Sequence, residues 1–178
     1  MRKATTVALW TFAALLPVAI AGCSLTDDPQ SMIAKSQDYR QQGNRAGAII
    51  ELKNALQKQP DNVEAHYLLG LAHLDGGEGP RAEAELSKAL TLGRDAKQVL
   101  PPLAKSMILQ RKFEEALYVT DPARVAGARG SVEILNIRAL AELARGRLRA
   151  AKGALDLAMV MQPDYADGML AQARIALI

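Results

Sequence analysis

Residues 48–60 read AIIELKNALQKQP, and residues 151–163 read AKGALDLAMVMQP. Laid over one another without gaps, they share Ala48/Ala151, Leu52/Leu155, Ala55/Ala158 and Pro60/Pro163. Between them, Ala82, Leu86 and Ala89 fall 34 residues after Ala48, Leu52 and Ala55. Ala116 falls 34 after Ala82, and Ala151 follows after one extra residue. Apolar residues three or four apart share one helix face. The small residues let a second helix cross closely, the leucine fills the groove between the two, and proline ends the helix because it has no N–H for the ladder. A fixed period of this length marks a stacked helix–turn–helix unit. The expected fold is all-α, built from antiparallel helix pairs.

These positions resemble the tetratricopeptide repeat (TPR), and the resemblance extends over residues 29–178. It implies a right-handed superhelical solenoid of about four and a half repeats: residues 29–62, 63–96, 97–131 and 132–165, with an incomplete unit at 166–178. Helix pairs are expected at about 30–42 and 45–59, 62–75 and 79–92, 97–110 and 112–121, and 131–145 and 147–161. A further helix is expected from near Asp164. The turns fall at Gly43-Asn44, Gly76-Gly77 and Gly146, with Asp61 or Asn62 as an N-cap and Gly93 closing a C-terminus. The third repeat is irregular. Pro101-Pro102 is expected to delay or kink its first helix, since proline suits only the first turn. Its second helix is expected to stop at Thr120-Asp121-Pro122, before a long loop over 122–130. The last helix carries Met169, Leu170, Ala173, Ile175 and Leu177 with nothing to cover them. A solenoid end needs a polar cap, so this is read as the start of a longer protein, the alternative being cover by another chain.

Composition agrees with packed helices. Of 178 residues, 49% are hydrophobic but only 4% aromatic, and the abundant Ala and Leu are strong helix formers. The formal charge is +3, of which Arg2 and Lys3 lie in a segment expected to be removed. A nearly neutral chain offers no clustered cations for phosphate, so nucleic acid is not an expected partner. The single cysteine excludes an internal disulfide and a cysteine-based metal cluster.

That cysteine ends a targeting segment. Arg2-Lys3 is followed by an uncharged, mostly apolar run over 4–19, too short to span a bilayer but flanked as a secretory signal is. Ile20-Ala21-Gly22-Cys23 resembles the bacterial lipobox. The resemblance implies a signal peptide over 1–22, a diacylglyceryl and acyl lipid on Cys23, and a lipidated tether over 23–29. Ser24, by the same likeness to Gram-negative lipoproteins, directs the chain to the periplasmic face of the outer membrane. Each buried methylene contributes about 0.8 kcal/mol, so several acyl chains hold firmly.

The stretches Ile50–Lys58, Ala65–Gly70, Ala82–Leu90 and Val99–Pro101 are similar to the start of the TPR-repeat lipoproteins of the PEP-CTERM system. Those proteins accompany exopolysaccharide biosynthesis and a protein-sorting system. A proline in the third repeat suits that family. Arg111 and Arg145 depart from it, standing where many repeats carry glycine or a small polar turn residue. The resemblance implies a lipid-anchored, non-catalytic scaffold with protein partners in the cell envelope, recruiting exopolysaccharide biosynthesis or export machinery. The alternative is an accessory lipoprotein for outer-membrane protein assembly or secretion.

TPR proteins commonly bind peptides or partner domains on the concave face, which the first helices line. Mapped here, that face comprises Gln37, Arg40 and Gln41, then Tyr67, Leu71 and Asp75, then Lys105, Ile108 and Leu109, and finally Asn136 and Leu140. Its mixed character suits an extended peptide or a helix. His66 and His73 are seven apart, about 10 Å along one helix, too far to share a zinc, so both are read as structural. Asp27-Asp28, Glu83/Glu85 and Glu114-Glu115 are read as solvated faces, because adjacent carboxylates on a helix diverge. No nucleophile elbow, phosphate loop or metal cluster is legible, so no catalytic residue, cofactor or small-molecule substrate is expected. A glycan hydrolase or transferase would need a paired carboxylate or a nucleotide site.

Overall fold

The computed structural model describes residues 28–122 and 131–177, so Cys23 and the segment 123–130 lie outside the described residues. Nine helices are described: α1 Pro29–Gln41, α2 Arg45–Lys58, α3 Val63–Asp75, α4 Gly79–Thr91, α5 Ala96–Leu109, α6 Phe113–Val119, α7 Val132–Ala144, α8 Leu148–Met161 and α9 Ala166–Ala176. Odd-numbered helices are the first of each pair. The most extensive packing is within the pairs α1–α2, α3–α4 and α7–α8, and each pair stacks on the next. The architecture is the helical-hairpin solenoid implied by the repeat.

The eighth residue of each unit sits at the crossing: Ser36, Gly70, Ala104 and Ala139, all buried. Opposite them are Ala48, Ala82, Ala116 and Ala151, each fully buried. At Gly70 the approach leaves no room for a side chain, since a Cβ there would lie 2.6 Å from Leu86 Cγ. Leu52, Leu86 and Leu155 fill the grooves beside the crossings at 1% exposure or less, each contributing about 1.5–3 kcal/mol by leaving water. Three apolar clusters run along the stack, around Leu52/Leu69, Leu86/Val99/Ile137 and Ala139/Leu155/Ala171.

Caps delimit the helices. Asp28, Asn44, Asn62 and Ser131 accept from the N–H groups of Ser31, Gly47, Ala65 and Ile134, and each such cap is worth about 1 kcal/mol. Asp28 caps α1 directly before Pro29, so the helix begins inside the stretch read as tether. Between the helices of a pair, one residue takes the left-handed conformation: Gly43 (φ 73°), Gly77 (φ 70°), Arg111 (φ 60°) and Gly146 (φ 73°). In each case the next N–H bonds a carbonyl five residues back, as in Asn44 to Tyr39, Glu78 to His73, Lys112 to Met107 and Arg147 to Glu142. This closes the helix end.

The third repeat departs from expectation at its prolines. α5 starts at Ala96, capped by Asp95, and runs through Pro101 and Pro102 without delay. The prolines deprive only the carbonyls of Lys97 and Gln98 of a helical donor. Both those residues are exposed, so water can serve instead, while the two proline rings are buried. The second helix does stop early. α6 has 7 residues, and Thr120 stands where other units place leucine. Its hydroxyl donates to the Ala116 carbonyl at 2.6 Å, and Arg138 of α7 donates to the Leu117 carbonyl at 2.9 Å.

Arg111 occupies a turn position that glycine holds in the other three pairs. A left-handed non-glycine residue costs about 1–2 kcal/mol, and glycine returns part of that as unfolded-state entropy. Arg111→Gly is therefore expected to stabilise the chain by about 0.5–1 kcal/mol in chemical denaturation. An unchanged or lower midpoint would show that Arg111 contributes more than its conformation costs.

Candidate functional site

The first helices of successive pairs stand side by side, and two cavities open between them. The first, of about 660 Å³, is lined by Gln37, Arg40, Gln41, Gly43, Arg45, Leu68 and Asp75. Its cations are already engaged. Arg40 Nη2 donates to Asp75 Oδ2 at 3.0 Å, and Arg45 Nη1 donates to Glu78 Oε1 at 2.8 Å. The Arg45 guanidinium lies across Gly76, where any Cβ would fall 1.5 Å from Nη1. Glu78 gathers three partners: Arg81 at 2.7 Å, Arg45, and His73 Nδ1 at 3.0 Å. The hydrogen bonds from Arg81 and then Arg45 hold its carboxyl down at about 2.

The second cavity, of about 370 Å³, has a different chemistry. Its floor is apolar, from Leu74, Ile108, Leu109, Ile137, Leu140 and Leu170, with Lys105, Asn136, Asp167 and Arg174 among them. Lys105 Nζ donates to Glu133 Oε1 at 2.6 Å. Leu109 and Leu170 are more than half exposed, which is unusual for leucines gathered in one hollow. Asn136 is 4% exposed, and its Oδ1 is buried without a hydrogen-bond partner. Such an acceptor costs about 1–3 kcal/mol until a donor reaches it. The Asn136 amide faces Tyr165, whose hydroxyl donates to Asp167 Oδ2 at 3.4 Å. Burial first, and then the charges of Asp167 and Glu133, push the Tyr165 hydroxyl up to about 12. It stays protonated and neutral at any physiological pH.

Of the residues read from sequence as the concave face, Gln37, Arg40, Gln41 and Asp75 line the first cavity, and Lys105, Ile108, Leu109, Asn136 and Leu140 line the second. Tyr67 and Leu71 are placed differently. Both are half-buried and pack against two core clusters, and Arg94 covers the Tyr67 ring at 4.1 Å from its centroid. Neither lines the two cavities. Leu74 was missed, although it shares its repeat position with Arg40 and Ile108, 34 residues on either side. Asp167, Leu170, Ala171 and Arg174 were also missed. They form one stripe of α9 at i, i+3, i+4 and i+7, a helix read only as an uncovered end.

Other sequence candidates are engaged within the chain. His66 Nδ1 lies 2.6 Å from Glu85 and its Nε2 lies 2.8 Å from the Pro60 carbonyl. Glu83 and Glu85, expected on solvated faces, are half-buried. Glu83 accepts from Lys112 at 2.6 Å and Gln110 at 2.5 Å, tying α4 to the next pair. Glu114 likewise reaches Arg145 Nε at 3.0 Å. Among the described residues, no group of three or more His, Cys, Asp or Glu could hold a metal, and no helix is long and apolar enough to cross a membrane.

Residues 33–97 match the tetratricopeptide repeat family. No curated protein matches the chain. Several solved structures share the fold. One is reported as the functional characterisation of Pseudomonas aeruginosa pilF, at 22% identity and TM-score 0.69, with 84% of this chain and 68% of that chain covered. A second is MamA 41-end from Desulfovibrio magneticus RS-1, at 18% identity and TM-score 0.69, covering 85% and 94%. A third is the thermophilic TPR protein TTC0263 of Thermus thermophilus, at 19% identity and TM-score 0.69, covering 84% and 81%. Identities this low establish the solenoid and carry no function across.

The Glu78 cluster has a pH signature. Its folded pKa lies below the ordinary 4.5, so its stabilisation is complete above that value and is lost as pH falls through about 2. Glu78→Gln should lower the thermal midpoint at neutral pH, and the difference from wild type should vanish near pH 2. A difference that persists at acid pH would mean the carboxylate charge is not what matters.

Proposed function

We propose that this chain is a non-catalytic scaffold whose concave face, centred on the second cavity, holds a segment of a protein partner. The observation that carries the reading is one hollow that gathers exposed leucines beside Lys105, Asn136, Asp167 and Arg174. Apolar surface left in water favours an occupant at about 25 cal/mol per Å² covered, and the charged margin of Lys105, Asp167 and Arg174 suits one with polar groups of its own. A peptide segment offers both, and stacked first helices commonly present such grooves. The first cavity is polar and its ion pairs are closed, so it serves as a rim beside the apolar hollow.

The cellular setting proposed for this scaffold follows from the sequence. The lipobox ending at Cys23 supports a lipid anchor on the periplasmic face of the outer membrane. The likeness to PEP-CTERM-system lipoproteins supports partners in exopolysaccharide biosynthesis or export and the associated sorting system. Cys23→Ser should release the chain from the membrane fraction. Chain that stays with membranes would mean that residues 1–23 act as an uncleaved anchor.

The groove is tested by Leu140→Glu and Leu109→Glu in a pull-down from crosslinked envelopes. Each places an unpaired carboxylate where an apolar partner would lie. Partner capture is expected to fall about tenfold or more with helical content unchanged. Undiminished capture would exclude the groove as the docking face. Recovery of barrel-assembly or secretion components in place of polysaccharide machinery would assign the scaffold to outer-membrane assembly.

A further inference from the structure

The last full repeat differs from the others on its outer face. Leu157, Val160 and Met161 of α8 are 59%, 81% and 45% exposed. The positions of Leu157 and Val160 hold Asn54 and Gln57 in α2, and Lys88 and Thr91 in α4; that of Met161 holds Lys58 in α2 and Leu92 just after α4. At the Leu157 and Val160 positions polar residues therefore satisfy the fold, and packing does not require apolar ones there. At 100° per residue, Val160, Gly153 and Leu157 stand opposite Ala151, Leu155 and Ala158, which face the core. Ala150 and Met161 extend the apolar arc on one side, and Arg149 closes it on the other.

Charge singles out the same helix. Residues 28–144 carry equal numbers of Lys/Arg and Asp/Glu. Residues 145–161 carry Arg145, Arg147, Arg149 and Lys152 against Asp156 alone. Arg145 is tied to Glu114 and Glu142, and Lys152 pairs with Asp156 at 3.0 Å. Arg147 reaches a carboxylate only at 3.8 Å, and Arg149 makes no ion pair among the described residues. The local excess of positive charge thus gathers at the start of α8, with Arg147 at its N-cap and Arg149 in its first turn, beside the exposed apolar arc.

We propose that the outer face of α8 rests on an anionic lipid surface. A helix with apolar residues on one arc and cations beside it lies in the interface, its apolar side chains among the acyl chains and its Arg and Lys heads at the phosphates. Three apolar side chains give a weak contact, and cations add to it at a surface bearing negative lipids. The contact is an auxiliary one, three helix pairs along the solenoid from α1. It would turn the stack of helices along the membrane instead of leaving it free to pivot. It uses the face opposite the groove, so a bound partner would not compete with it.

The test uses the full chain in a Cys23→Ser background with one environment-sensitive label, either at Val160→Cys or at Gln57→Cys, the same repeat position in α2. The labelled chains are mixed with phosphatidylcholine vesicles, with or without phosphatidylglycerol. At Val160 an aqueous quencher is expected to lose at least about tenfold in access when phosphatidylglycerol is present, while Gln57 is unchanged. High salt should restore access, and so should Arg147→Glu with Arg149→Glu. The proposal falls if the Val160 label stays as accessible as the Gln57 label while the chain travels with the vesicles, for then the N-terminal segment alone holds it. It also falls if the Val160 label becomes shielded without vesicles as protein concentration rises, which would identify a second copy as the occupant.

Discussion

Everything in this solenoid depends on how closely two helices can cross. Within each pair a small buried residue stands at the same repeat position on either helix, Ser36 and Ala48, Gly70 and Ala82, Ala104 and Ala116, Ala139 and Ala151, and at Gly70 a Cβ would meet Leu86 of the second helix. A larger side chain at any of these points would have to displace backbone, because interiors are packed to the density of organic crystals. Close crossing brings the leucines beside it into full burial and sets the angle at which the next pair must stack. With contacts limited to neighbours, stability accumulates pair by pair. The weakest link is the third pair, where α6 is half the usual length and Thr120 replaces the groove-filling leucine.

The same geometry creates the site. Since the second helices spend their inner faces on the crossings, the first helices are left to line the hollow. The two ends of that hollow differ in chemistry. Around α1 and α3 the polar groups answer one another, Arg40 with Asp75 and Arg45 with Glu78. Around α5, α7 and α9 the leucines are open and Asn136 keeps an acceptor unused. The contrast is between a rim whose ion pairs are closed and a hollow whose leucines are open, while Arg40 Nε, like Asn136 Oδ1, is buried without a partner.

Much of this was legible in the sequence because the period is rigid. Alanines at 34-residue intervals located the crossings, and glycines located three of the four left-handed turns within the pairs to within a residue, the fourth falling on Arg111. Failures came where an energy had to be weighed. Pro101-Pro102 looks like an obstruction until the cost is traced to two carbonyls near solvent and set against two buried rings. Glu83 and Glu85 look like solvent charges because their partners, Lys112 and His66, lie 29 and 19 residues away. Tyr67 and Leu71 hold groove positions by repeat number and also pack, half-buried, against the core, with Arg94 over the Tyr67 ring. The contribution of α9 to the cavity could not be read from pair patterning, since its partner-facing residues form a stripe on a helix with no second member among the described residues.

The central claim is that the leucine-lined hollow between α5, α7 and α9 receives a protein segment. The most direct measurement places a photoactivatable side chain at Leu140 in living cells and, as a control, at Lys53 on the exposed face of α2. The account predicts a discrete crosslinked partner from Leu140, with the bond mapped to one short stretch of that partner, and none from Lys53. Equal yields from the two positions, or no adduct at Leu140 while Lys53 captures a partner, would contradict it.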